Sequence, residues 1–366
     1  MSQLTYSFGR FSVWYGFHTE FSNAPAPLAQ SVEHRTFNPL VEGSSPSGRI
    51  NLSGEIEVGV VDDLPQAPIR FFDDLGFFGN RLGHDPINTA DGVVKQCCNC
   101  ETRNMSEFQN IVVTRDGPIA TLTLNRPDKR NSLSLETMIE ITRALQDIGI
   151  SDADGVIIAA NGPVFSAGHN FADMAGADSD ETRHIFEICT DMMDTLQAIP
   201  QPVIAKVHAL ATAAGCQLVA TCDLAIAAES AAFAIPGGRG GLFCHTPLVA
   251  VARNLSRKRA LEMAMTGDAI DAKTAADWGL INRSVRDDQL DAAVLDLITR
   301  ATRGSILSKA IGKQTFYDQI NMAQDQAYDY AIDVMADAAA APDAQEGIDA
   351  FLNKRSAVFI QRLNRD

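Results

Sequence analysis

The stretch Val207-His-Ala-Leu-Ala-Thr-Ala-Ala-Gly-Cys-Gln-Leu-Val-Ala-Thr-Cys-Asp223 closes a short β-branched run at 203–207 and passes through small residues into an apolar run from Cys216 to Thr221. The first run reads as a buried strand and the second as a helix beginning near Ala213. A helix start leaves N–H groups unpaired and carries the positive end of the helix dipole. Whatever lies before Ala214 therefore meets backbone donors.

A second stretch, Val164-Phe-Ser-Ala-Gly-His-Asn170, has the same build. It follows another buried strand, 156–160, which Asn161-Gly162-Pro163 interrupts, and its Ala167-Gly168 pair lets the backbone pass close to a ligand. An exposed N–H at His169 is the expected product. Two backbone donors converging from the two stretches would hold an oxyanion, often the largest single contribution to acyl chemistry. Either stretch alone also reads as an ordinary strand-to-helix turn with alanines chosen for packing.

Two further signatures accompany them: Leu122-Thr-Leu-Asn-Arg-Pro-Asp-Lys-Arg-Asn-Ser-Leu133 before, and Phe233-Ala-Ile-Pro-Gly-Gly-Arg-Gly-Gly241 after. In this order and spacing the four resemble the crotonase (enoyl-CoA hydratase/isomerase) superfamily, over essentially residues 105–359. Within it, Ala211 to Asp223, Gly241-Leu-Phe-Cys-His-Thr-Pro247, Ala260-Leu-Glu-Met263, Thr315-Phe-Tyr317 and Gln345-Glu-Gly-Ile-Asp-Ala-Phe-Leu352 look most like the enoyl-CoA hydratase domain-containing protein 3 group.

The resemblance implies an α/β fold, a crotonase-like ββα superhelix at 105–300, followed by a C-terminal helical oligomerisation region at 301–366. It implies a homotrimer or a dimer of trimers. It also implies that the N–H groups of His169 and Ala214 hold a thioester oxygen of an acyl-CoA or enoyl-CoA ester. Gly168, Asn170 and Gly215 would shape that binding site, and Ala167 would contact the adenine-bearing end of coenzyme A. Coenzyme A is then part of the substrate, and no separate cofactor or metal is expected. The nominal reaction is water addition to a 2-enoyl-CoA.

The chain departs from that pattern where hydratases keep two glutamates: Gln217 stands at the first position and Gly237 at the second. An amide orients water but does not exchange protons near neutral pH, and glycine has no side chain. Each positioned acid or base contributes about 10²–10⁴-fold, so the usual hydratase mechanism loses its agents. Non-hydratase chemistry, such as isomerisation or thioester cleavage, and acyl-CoA binding without turnover stand as alternatives. Substitutes in the sequence are the side chain of His169, and His245 and Asp173, for which packing and helix capping are the plainer roles. Cys216 and Cys244 would need lowered pKa values to act as nucleophiles.

Composition bounds the rest. The net charge of −16 argues against nucleic acid or an anionic membrane as partner. A coenzyme A site nevertheless needs a basic pocket. Arg126, Lys129 and Arg130 either meet its phosphates or form a solvated turn. The loop at 237–241 lacks the Gly-Lys-Ser/Thr of a phosphate cradle, so Arg239 reads as the edge of a flexible pocket. No apolar run approaches the roughly 20 residues of a membrane helix. Seven cysteines, four of them in apolar segments, do not form a secreted disulfide framework, and a reducing, cytoplasmic location is expected. Cys97-Cys98-Asn-Cys100 lacks a second ligand pair and reads as an accidental cluster.

Residues 1–104 show no sustained periodicity and are rich in turn formers. Within them, Pro27 to Gly48 resembles the conceptual translation of a transfer-RNA gene. A start called too far upstream, with Met105 as the natural one, is the expectation. Beyond Met105 the periodicities predict a hairpin at 111–124 around Asp116-Gly117, a helix capped by Ser134, and a helix at 182–199. The region after Thr246 reads as helical, at 248–254, 256–265, 272–278, 288–302 and 306–316, with one strand at 281–285.

Overall fold

The computed structural model describes residues 5–8, 11–14 and 108–359. The expected upstream start and the cluster at 97–100 lie outside the described residues. The chain divides into two units, Met1–Ile69 and Arg70–Asp366. In the first, strands β1 (Thr5–Phe8) and β2 (Phe11–Trp14) pair antiparallel.

In the second unit the alternation of apolar residues builds a six-stranded sheet. β3 (Ile111–Asp116) and β4 (Ile119–Leu124) form the expected hairpin, with Gly117 at φ 55° in its turn. β5 (Gly155–Ala160), β6 (Val203–Val207), β8 (Leu224–Ala228) and β11 (Arg283–Val285) then add in parallel, giving the order β11-β8-β6-β5-β4-β3. Register aligns Leu122, Ile158, Ala205 and Ala225 across four strands, all buried on one face. Because successive side chains alternate, Ile119, Ile204 and Ile226 fall on the other face. There they pack with Leu290, Val294, Leu297 and Ile298 of α7 (Leu290–Ala301). The first face carries α1 (Leu135–Gly149), α2 (Ser179–Ala198) and α3 (Ala214–Thr221). A second sheet, β10-β9-β7, joins Ile270–Asp271, Ala232–Ala234 and Ala211–Thr212.

Most expected boundaries fall within a few residues. α2, however, begins at Ser179 rather than 182, because Asp178 accepts the N–H groups of Asp180 and Glu181 while Glu181 accepts that of Asp178, a capping box. After β9 come α4 (His245–Asn254), α5 (Arg257–Thr266) and α6 (Ala272–Trp278). α7 ends at Ala301, and α8 (Ile306–Gln319), α9 (Gln324–Ala340) and α10 (Pro342–Leu352) follow. Together these elements form the expected α/β architecture followed by C-terminal helices.

A partly buried polar triad ties α8 to the sheet. Lys313 Nζ meets Asp223 Oδ2 at 2.8 Å and donates to the carbonyls of Leu196 and Gln201, while Tyr317 donates to Asp223 Oδ1 at 2.7 Å. Asp223 Oδ2 also accepts the N–H of Val203. Burial pulls the lysine down and pushes the tyrosine up from their usual ranges. The end of α3 and the start of β6 are thereby fixed relative to each other.

Candidate active site

Three segments far apart in sequence are stitched edge to edge beyond the strand ends. Phe165 and Ser166 donate to the Leu210 carbonyl, and Thr212 donates back to that of Ser166. On the other side Leu133 donates to Gly168, Asn170 to Leu133 and Ala167 to Arg130. Asn131, 2 % exposed and left-handed at φ 49°, organises the junction. Its Nδ2 donates to the carbonyls of Asn161 and Val164, and its Oδ1 accepts the N–H of Arg126. Ser166 Oγ completes the frame, donating to the Asn131 carbonyl and accepting the N–H of Gly168.

Within this frame His169 and Ala214 are brought together through Gly168. Gly168 has φ 83°, and a Cβ on it would lie 3.0 Å from Ala214 N, 2.9 Å from Thr212 O and 2.8 Å from Ala213 Cβ. Only a glycine fits both that conformation and that approach. Gly215 backs equally closely onto Ser166, where a Cβ would meet the carbonyl oxygen at 2.6 Å. Ala213 precedes the helix at φ 51°, a conformation costing a non-glycine residue about 1–3 kcal/mol, and its N–H is anchored on Ala234 O. Among the described residues no hydrogen bond engages the N–H of His169 or of Ala214, whereas those of Gly168 and Asn170 on either side of His169 are bonded. α3, buried along its whole length, aims its positive end at the same point.

The two positions where the resemblance expects glutamates are unlike each other. Gln217 lies one turn beyond Ala214, 6 % exposed, and its Oε1 is a buried acceptor without a partner. Gly237 opens the 3-10 turn Gly237–Gly240 and is closed in: a Cβ would lie 2.1 Å from Leu242 O and 2.7 Å from Cys244 Sγ. The Gly237 N–H donates to that sulfur at 3.2 Å. A glutamate side chain at 237 would require this turn to rebuild.

His169 carries a second feature. Its ring stands edge-on to Phe186 of α2, centroids 5.3 Å apart, and Nε2 is buried without a hydrogen-bond partner. Burial pushes the imidazole down to about 4, against the smaller opposing influence of Asp173, so it is neutral at pH 7. Phe186 also lines an open groove of about 640 Å³ with Ala177, Asp178, Ser179, Thr182 and Arg183.

The remaining candidates are otherwise engaged. Asp173 caps, as expected: Oδ2 accepts the N–H of Leu135 at the start of α1, and Oδ1 accepts Asn170 Nδ2 at 2.6 Å. Arg126 turns toward the same helix and donates to Ser134 Oγ at 3.0 Å, leaving Lys129 and Arg130 as the exposed cations of the turn. His245 is exposed and leans on Phe243, and Arg239 pairs with Asp268 at the surface. Burial pushes Cys216 up to about 12 and raises Cys244 as well, so neither is a ready thiolate. Among the described residues no group of three or more His, Cys, Asp or Glu could hold a metal.

Asn131 and Ser166 belong to the quoted signatures, yet sequence reading assigned them no role. The signal was a polar residue inside an otherwise apolar or glycine-rich motif, which asks where its hydrogen bonds go.

Comparison with known proteins bears on the family and the fold. Residues 114–362 match the family model described as enoyl-CoA hydratase/isomerase. The enoyl-CoA hydratase domain-containing protein 3, mitochondrial, of Danio rerio is 42 % identical over 251 residues, 67 % of this chain and 86 % of the relative. Among solved structures, the human enoyl-CoA hydratase domain-containing protein 3 superposes with a TM-score of 0.67 at 39 % identity, covering 69 % of this chain and all of that one. An enoyl-CoA hydratase from Mycobacterium smegmatis gives 0.67 at 40 %, covering 68 % and 98 %. The names of the Danio rerio, mouse, rat and human relatives all read mitochondrial, which corrects the expectation of a cytoplasmic location. Buried free thiols fit any reducing compartment and could not separate the two.

Proposed function

The chain belongs to the enoyl-CoA hydratase/isomerase family, and on that premise we propose that it binds an enoyl- or acyl-CoA ester with the thioester oxygen between the N–H groups of His169 and Ala214. The observation that carries this reading is the contact of Gly168 with Ala214 N, which brings two unbonded donors to one point at a helix start. Polarising the oxygen acidifies the α-carbon and makes a conjugated β-carbon electrophilic. Donors fixed in a water-poor site do this without reorganising. Coenzyme A enters as part of the substrate, with Lys129 and Arg130 toward its phosphates, Ala167 toward its adenine end, and the acyl group along the groove beside Phe186. No separate cofactor is required.

Water addition to a 2-enoyl-CoA is the nominal reaction. The closure of Gly237 by Leu242 and Cys244 favours a second reading, isomerisation, thioester cleavage or binding without turnover, because it removes one usual acid/base outright. Mass spectrometry of a panel of enoyl- and acyl-CoA esters mixed with the chain decides. Gain of one water supports hydration, a shifted double bond or free acid supports the sister reactions, and tight binding with every ester unchanged supports a binding protein. No binding of any ester sinks the proposed site.

Assembly into trimers or pairs of trimers belongs to the same proposal. α9 buries none of its residues and presents Tyr328, Ile332 and Met335 at helical spacing, all more than 60 % exposed.

A further inference from the structure

We propose that the imidazole of His169 is the acid/base of the reaction, exchanging a proton at Nε2 with the α-carbon of the thioester whose oxygen the backbone N–H of the same residue holds. The inference rests on the binding reading above and adds the group that moves the proton.

Elimination gives the first support. The two customary positions offer an amide and no side chain. Both Asp173 oxygens are occupied by Leu135 N and Asn170 Nδ2. Cys216 and Cys244 hold their protons, and His245 lies exposed on Phe243. Of these groups, only His169 combines a position at the proposed hole with a buried, unbonded atom.

Geometry gives the second. The imidazole is tethered by its own Cα to the N–H that would hold the substrate oxygen. It therefore lies within the combined reach of one hydrogen bond and one side chain of that oxygen, and the α-carbon is two bonds from the oxygen. The edge contact holds the ring against Phe186 of α2, a residue that also lines the open groove. Burial then keeps the lone pair free: with the ring proton on Nδ1, Nε2 accepts at neutral pH with roughly the basicity of a carboxylate.

The proton balance closes without another reagent. Nε2 takes the α-proton and becomes N–H⁺, and the C–H electrons form an enolate whose charge rests on the oxygen between the two N–H groups. Return of the proton regenerates the ester. For a 2-enoyl ester the water oxygen bonds to the β-carbon and its proton passes to Nε2. The C=C electrons form the enolate, and Nε2 delivers the proton to the α-carbon. Gln217 Oε1, one turn from Ala214 and lacking a donor, accepts a hydrogen bond from the other O–H of that water, which stays on the oxygen.

The test uses the full chain in deuterium oxide with butyryl-CoA and 3-hydroxybutyryl-CoA, reading deuterium at the α-carbon by mass spectrometry and ester binding by calorimetry. We expect exchange by the native chain. His169→Gln and His169→Phe, the latter keeping the aromatic contact, should lose about 10²–10⁴-fold of it, while binding changes only a few-fold because the holding N–H is backbone. Native-rate exchange in either folded variant overturns the inference, as does a native chain that binds both esters and exchanges neither. A native chain that binds no ester removes the hole and the inference together.

Discussion

The proposed hole at His169 and Ala214 and the positions where the family resemblance expects glutamates, Gln217 and Gly237, are built from different materials. The hole is backbone: it needs Gly168 at φ 83°, Ala213 at φ 51° and the start of α3, and it is indifferent to most side chains. The other two positions are side chains, and here one is an amide and the other is filled by a carbonyl and a thiol. A backbone-built feature persists as long as the fold does, whereas a side-chain feature changes with one codon. That difference explains how a chain can keep the family's binding geometry while losing its customary carboxylates.

The largest expected effect breaks the backbone half. Gly168→Val places a Cβ into Ala213 Cβ and Ala214 N at 2.8–3.0 Å, at a φ that β-branched residues avoid. The donors separate, and turnover should fall by about 10²–10³-fold, as when one oxyanion donor is removed. Ester binding should weaken alongside it in calorimetry. Native-like binding by a folded Gly168→Val would mean that the donors do not hold the thioester.

How much of this was legible in sequence follows the same division. The hairpin at 111–124, the strands at 156–160 and 203–207, α1 with its Ser134 cap, and the glycine and alanine turns were readable because periodicity and φ requirements are local. The early start of α2 was also written locally, in Asp178 and Glu181, but a run of polar residues masked it. What was not legible depends on pairs far apart in the chain. Asp223 meets Lys313 and Tyr317, about ninety residues on, and Asn131 reaches carbonyls thirty residues on. That Gly237 is filled, rather than merely lacking a side chain, depends on how the chain returns at Leu242 and Cys244. Spacing names the positions, but only folding states what occupies them.

An intermediate effect concerns His169, where backbone and side chain coincide. Its folded pKa of about 4 lies below the ordinary value of 6.5, so between these values the unfolded chain binds more protons. Stability contributed by the neutral ring is therefore complete above pH 6.5 and is lost as pH falls toward 4. The shift corresponds to on the order of 3 kcal/mol across that window. Denaturant titrations at pH 7.5 and 4.5 should show the loss in the native chain and a shallower one in His169→Gln. Equal slopes would mean that the ring is solvated and free to protonate.

The smallest effect tests whether Gln217 is a remnant or a working part. A buried acceptor without a donor costs about 1–3 kcal/mol, and replacing it by an apolar group of similar size removes that cost. Gln217→Leu should therefore raise the unfolding free energy by about 1 kcal/mol, read as a shifted denaturant midpoint at constant slope. A residue kept only for packing would give that gain with no change in chemistry. If Oε1 steadies the attacking water, the same variant should be more stable yet slower in water addition, with α-carbon exchange on saturated esters preserved because no water takes part in it. Stability and hydration moving in opposite directions would mark the amide as held for function. A variant that loses stability would show instead that Oε1 finds a donor within the fold.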